Sequence, residues 1–196
     1  MPNVGRYPII LGNLFFYLFF LFFVLGGCRM EYWDLVDANG YTMLTNHRRG
    51  DEIPSGYYHH VVNVRVQHQD GSILIMQRDW RKEILPGKFE ASAGGSILQG
   101  ETVEAGARRE LWEETGIKAE QLIQVRSYLD ETYPVLWTHY IAQVKVDKSH
   151  IRLQEGETIA FEWVTLQDFI SRVKDNENLS MDPMTLETYY LDLLHH

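Results

Sequence analysis

The densest chemistry-bearing feature of the chain is Arg109-Glu110-Leu111-Trp112-Glu113-Glu114, which brings three carboxylates together. They occupy about one and a half turns if the segment is helical. The spacing predicts a helix over 102–115, with Val103, Ala107 and Leu111 at i, i+4 and i+8 and Gly116 as its stop. On such a helix Glu110, Glu113 and Glu114 fall on one arc beside the apolar stripe. Like charges at the edge of a buried face repel one another and raise their own pKa values. A hard divalent cation relieves that repulsion, and carboxylate oxygens are the donors Mg²⁺ prefers. The same residues also suit a solvated acidic face, knitted by Arg109 to Glu113 and Glu114 to Lys118.

The surrounding spacing separates the two readings. Gly95, five residues, Glu101, seven residues, then R-E-L-x-E-E-x-G-I fixes nine positions in a 23-residue stretch. This pattern resembles the Nudix box at every defining position. The resemblance implies a metal-dependent pyrophosphohydrolase that cleaves a small diphosphate, such as a nucleoside diphosphate linked to another group X. Water attacks phosphorus, so the protein's work is positioning and charge neutralisation. By resemblance, Glu110, Glu113 and Glu114 bind Mg²⁺ or Mn²⁺, with Glu114 and Glu110 also counted catalytic. Glu101 matches the first acidic position, which binds through water or orients the site. Arg109 matches the arginine that holds a box glutamate, and Gly95 the glycine whose carbonyl approaches the metal. A carboxylate from outside the box often completes such sites or serves as base. Glu157 in E-G-E-T-I-A-F-E-W-V is the candidate, with Glu155 a rival and an exposed loop acid the plainer reading.

Four segments, E-Y-W-D-L-V-D-A-N-G, R-G-D-E-I-P-S-G-Y-Y-H-H, G-S-I-L-I-M-Q-R and K-E-I-L-P-G-K-F-E, are similar to the branch related to isopentenyl diphosphate isomerase. That similarity puts His59 on a metal-ligand histidine and Arg78 and Lys82 on diphosphate-contacting cations. Arg grips phosphate as a fork and Lys as a point charge, though both also suit an ordinary basic loop. Two positions depart from the isomerase: Gly94 replaces its catalytic Cys and Ser96 its second metal His. Isomerisation needs a proton donor and acceptor at the allylic carbons, and Gly94 is neither. Hydrolysis is therefore the expected reaction, with His59 and His60 read as strand-end histidines. The alternatives are an isomerase-like enzyme and a non-catalytic nucleotide-sensing module.

Several elements must position these residues. Runs 31–37 and 41–45 flank Asn39-Gly40 and predict a hairpin. Alternating Val62, Val64 and Val66 predict a strand over 60–67, paired across Asp70-Gly71 with 73–76. A basic loop follows over 78–87, then a brief strand over 89–93 leading into the box. Strands over 122–128, 135–146 and 161–164, helices over 166–173 and 185–194, and a polar loop over 176–182 complete the reading. The order is α+β. The Nudix resemblance narrows it to a mixed β-sheet between helices, an α/β/α sandwich with the box as loop-helix-loop.

The 196 residues suffice for one well-cored domain over 30–196 plus a terminal addition over 1–29. A net charge of −9 argues against nucleic acid held on a broad basic surface, and the partner expected is a small-molecule diphosphate. Oligomeric state stays open, a homodimer included. Single Cys28 excludes an internal disulfide. The run 8–27 is almost wholly apolar, and about twenty such residues span a bilayer as a helix. Leu25-Gly26-Gly27-Cys28 also resembles a bacterial lipobox, yet only Arg6 precedes the apolar run. A third reading is a misplaced gene start. T-rich DNA translates as Phe and Leu, and codons for Gly26-Gly27 would hold a ribosome-binding sequence roughly seven nucleotides before Met30. Localisation is then cytoplasmic; the alternative is membrane anchoring through residues 8–27.

Overall fold

The strand β3, Tyr58–His68, is the spine of the sheet, and its residues explain why. From His59 to Val66 all but Asn63 are buried, so both of its faces are covered and both of its edges are paired. The computed structural model describes residues 31–83, 85–91 and 93–175. The apolar segment 1–29, the polar segment 176–182 and the helix expected over 185–194 lie outside the described residues. Around β3 the chain runs β1 (Tyr32–Val36), β2 (Thr42–Arg48), β4 (Ile73–Arg78), β5 (Phe89–Glu90), β6 (Ala93–Ser96) and helix α1 (Val103–Thr115). It continues with β7 (Gln121–Asp130), β8 (Val135–Val144), β9 (Thr158–Val164) and α2 (Leu166–Asp175).

The sheet is mixed, as expected. β3 runs parallel to β8 over ten residue pairs, from His59↔Val135 to His68↔Val144. It is antiparallel to β1 and to β6. β7 pairs with β8, and β9 and β5 pair with β4, all antiparallel. Alternation then sorts the side chains. Val62, Val64, Val66, Leu74 and Met76 face one way and close over Ala107 and Leu111 of α1. Ile73 and Ile75 face the other way and meet Val164 of β9 and Phe169 of α2. The two helices therefore cover opposite faces, which gives the α/β/α layering.

Local chemistry sets the ends of these elements. In the first hairpin Asp37 Oδ1 accepts the N–H groups of Asn39 at 2.8 Å and Tyr41 at 2.9 Å, and Gly40 takes φ 85°. For α1, Thr102 is the N-cap, its hydroxyl accepting from Ala105 N at 3.2 Å. Gly116 ends the helix in the left-handed region at φ 72°. Arg152 then donates to Trp112 O at 3.0 Å, a cation at the negative end of the helix dipole.

Two expectations are corrected. The hairpin across Asp70-Gly71 exists only at its turn, with the single register pair Gln67↔Ile73. Beyond it the strands part, β3 towards β6 and β8 and β4 towards β5 and β9. A strand covered on both faces is central, and local pairing signals do not reveal its distant partners. The strand expected over 89–93 is two strands: β5 on Met76 and Gln77, and β6 on Val61–Val64. Gly94 and Gly95 thus lie in a strand rather than in a loop. The remaining ends shift by a few residues; β9 starts at Thr158 rather than Phe161, which brings Glu157 to its mouth. Among the described residues, no helix is long and apolar enough to cross a membrane.

Leu111 is wholly buried between α1 and the sheet. Leu111→Ala is expected to cost about 3 kcal/mol of unfolding free energy, read from denaturant midpoints at unchanged slope.

Candidate active site

Helix α1 lies along β6 so that one flank looks at the strand's glycines. A Cβ added at Gly95 would stand 2.4 Å from Glu110 Oε1, and one at Gly94 would stand 2.3 Å from Val62 O. Glycine at 95 leaves room for the Glu110 carboxylate against the strand, and glycine at 94 lets β6 lie close against the β3 backbone. The Glu114 carboxylate crosses the same gap, accepting from Gly94 N at 3.3 Å.

Arg109 ties the box together. Its Nε and Nη2 donate to the two oxygens of Glu101, both at 2.9 Å. Its Nη1 reaches Glu110 at 2.7 Å and Glu113 at 3.2 Å, and Nη2 also donates to Ser96 O at 2.8 Å. Burial works against the guanidinium charge, but the Glu101 bonds and the pull of Glu110 outweigh it, so its pKa stands well above the usual range. Glu101 spends both oxygens on Arg109 and also accepts from Leu98 N at 3.1 Å, a geometry that orients the box. Of the two ion pairs expected for a merely solvated face, Arg109–Glu113 is formed. Glu114 turns to Gly94 instead, while the Lys118 ammonium lies over the Trp112 ring at 4.7 Å.

The residues outside the box come to the same place. Arg78 at the end of β4 is paired with Glu90 of β5. Lys82 is paired with Glu157, whose backbone carbonyl accepts from Asp79 N at 2.9 Å. Glu90 and Glu157 both act electrostatically on Glu114. Burial, then the charges of Glu110, Glu90 and Glu157, push the Glu114 carboxyl well above its usual range. Burial also raises Glu110, opposed by Arg109, and raises Glu90, opposed by Arg78. Among the described residues, no three His, Cys, Asp or Glu side chains already converge on one point as an ion's ligands would. Three of the box carboxylates, Glu101, Glu110 and Glu113, are turned towards Arg109.

Glu90 was not picked out from the sequence. Its signal is a lone carboxylate in the otherwise small or apolar run F-E-A-S-A-G-G, five residues before Gly95. His59 and His60 have structural duties. His59 stacks on Trp33, ring centroids 3.5 Å apart and planes 8° from parallel. His60 shares a hydrogen bond with Thr138 Oγ1 at 2.8 Å and is pushed down to about 4 by burial. Trp137 packs with Val61 and Val135, against which Tyr128 and Tyr133 lie. Trp80 is different: it is 67% exposed, with its ring over Gly87.

Comparison with known proteins matches residues 57–186 to the NUDIX domain family. A Nudix hydrolase of Listeria monocytogenes, itself uncharacterized, is 33% identical over 143 residues, covering 71% of this chain and 82% of the relative. One from Listeria innocua is 34% identical over 137 residues, covering 69% and 80%. Among solved structures, a Deinococcus radiodurans protein superposes with a TM-score of 0.63 at 20% identity, covering 82% of this chain and 98% of that one. The NUDIX domain of Shewanella oneidensis NrtR, complexed with ADP ribose, superposes at 0.55 with 18% identity, covering 73% and 94%. At these identities the two structures establish the fold.

The raised Glu114 carboxyl has a consequence for stability. Its folded pKa lies above the unfolded value of 4.5, so the folded state holds the proton more tightly. Glu114 therefore costs stability as pH rises from 4.5 through its folded value. In EDTA, Glu114→Gln is expected to raise the melting temperature at about pH 7–8 and to flatten its decline above about pH 5, measured by calorimetry.

Proposed function

The chain belongs to the Nudix family and is a hydrolase acting on pyrophosphate bonds; from that premise we propose a metal-dependent pyrophosphohydrolase for a small diphosphate compound. The observation that carries this reading is the meeting of Glu110 and Glu114 with Glu90, Glu157, Arg78 and Lys82 at one flank of α1. Acid in excess suits a cation there, and the two basic residues suit the anion that accompanies it.

The residues fit a divalent ion. Hard oxygen donors are what Mg²⁺ and Mn²⁺ take, and the Gly94–Gly95 approach leaves no side chain between β6 and Glu110. Glu110, Glu113 and Glu114, with the Gly95 carbonyl, would hold it. When bound, the ion supplies neutralisation of the diphosphate charge. Arg109 sets the directions of Glu110 and Glu113 and is itself set by Glu101. Arg78 and Lys82 receive phosphate oxygens. Glu157, on the rim of the same cleft, accepts the proton of the attacking water.

We place the chain in the branch resembling isopentenyl diphosphate isomerase, with the diphosphate cradle kept and the allylic proton chemistry absent. Gly94 has no acid or base to offer, and its backbone lies too close to Val62 O for a side chain to be added without a shift. The group X is read by the loop that carries Trp80 between Arg78 and Lys82, where an exposed indole face suits a planar or apolar group.

A screen of nucleotide sugars, dinucleoside polyphosphates, oxidised nucleotides and prenyl diphosphates is expected to find turnover with Mg²⁺ or Mn²⁺ that EDTA abolishes. Glu114→Gln should lower kcat by about a hundredfold or more with the circular dichroism spectrum unchanged. Wild-type turnover by that variant would mean the acid cluster has another purpose.

A further inference from the structure

The two cations offered to the substrate are each already engaged by a carboxylate of the same cleft, Arg78 by Glu90 and Lys82 by Glu157. Both carboxylates are fixed through their backbones rather than through these pairs. Glu90 is held by the β4–β5 register, opposite Met76. Glu157 is held by Asp79 N at 2.9 Å and by its own N–H on Gln154 O at 3.1 Å. Either side chain can leave its cation without moving the strand or turn that bears it. Nor are the pairs sealed: Glu90 and Glu157 each retain 28% of their side-chain surface, so an incoming anion has access.

We propose that Glu90 and Glu157 are exchangeable counter-ions of Arg78 and Lys82, which a diphosphate displaces and which the divalent cation then compensates. The inference rests on the proposed hydrolase reading and adds a coupling to it. Arg78 and Lys82 turn from carboxylate oxygens to phosphate oxygens. Four carboxylates, Glu90, Glu110, Glu114 and Glu157, are then left at one flank of α1 without those two cations. Bringing the anion without a metal therefore sets like charges together, whereas bringing both balances them. Binding of each must favour the other by the same factor.

Methylenediphosphonate, which resists hydrolysis, tests this by calorimetry on the full chain, in EDTA and then in Mg²⁺. Removing a competitor strengthens binding, while removing a positioning group weakens it. In EDTA, Glu157→Gln is expected to bind the diphosphonate about fivefold more tightly than wild type, and the enhancement that Mg²⁺ gives should shrink by a similar factor. Glu90→Gln should act in the same direction, and its melting curve checks that the β4–β5 edge survives. Equal or weaker binding by both variants, while wild type binds the diphosphonate and Mg²⁺ and hydrolyses a diphosphate, overturns the exchange and leaves the hydrolase reading standing. A wild type that binds neither probe and turns over no diphosphate overturns both.

Discussion

The site depends on the guanidinium of Arg109. A single planar fork meets Glu101 on two edges, Glu110 and Glu113 on a third nitrogen, and the Ser96 carbonyl between them. These partners come from β6, from the turn that precedes α1 and from α1 itself, so one side chain sets the helix against the strand. Lysine has the charge but not the five fixed donors, and it could not face all of these acceptors at once. Three box carboxylates, Glu101, Glu110 and Glu113, share the one positive charge of Arg109, and Glu114, outside that group, is pushed well above its usual range by burial and by the charges of Glu110, Glu90 and Glu157.

Glycine does the complementary work. Arg109 draws α1 towards β6, where Gly95 presents no Cβ to the Glu110 carboxylate, while Gly94 presents none to Val62 O of the neighbouring β3. Gly106 on the helix is as tight: a Cβ there would lie 2.3 Å from Ile97 Cδ1 and 3.0 Å from Glu101 Oε2. The spacing from Gly95 to Glu101 to Arg109 thus records a distance between backbones as well as a set of ligands. A side chain at Gly95 or Gly106 would crowd the side chains that lie between α1 and the strand, and one at Gly94 would press on the β3 backbone.

Much of this was legible in the sequence because it is local. The helix and its Gly116 stop, the first hairpin and the alternation of β3 all follow from residues within a few positions of one another. Long-range pairing was not legible. Nothing near Asp70-Gly71 says that β3 leaves β4 after one pair to lie along β8, because that choice is made by burial on both faces of a central strand. The split of 89–93 into β5 and β6 is the same kind of event, since its halves pair with different strands. Glu90 escaped notice for this reason: its meaning comes from Arg78, twelve positions away in sequence but adjacent across a register that only the sheet defines.

The same logic explains why Glu157, drawn from far down the chain, is better placed than an ordinary loop acid. β9 pairs with β4 and leads into α2, which covers Ile73 and Ile75, and the register Arg78↔Thr158 delivers residue 157 to the end of the strand carrying Arg78. Its carbonyl then takes the Asp79 N–H and its carboxylate takes Lys82. Packing on the α2 face of the sheet, remote from the box in sequence, thereby positions a carboxylate beside the α1 flank. The basic loop is constrained with it, since Lys82 N bonds Asp79 O at 3.0 Å and Arg81 is paired with Asp79. Asp79, held down at about 2 by Arg81, stays charged across the physiological range and keeps that loop folded against the turn. The acidic flank of α1 and the basic loop are therefore brought together by the strand registers, and Arg109 fixes the acids once they are there.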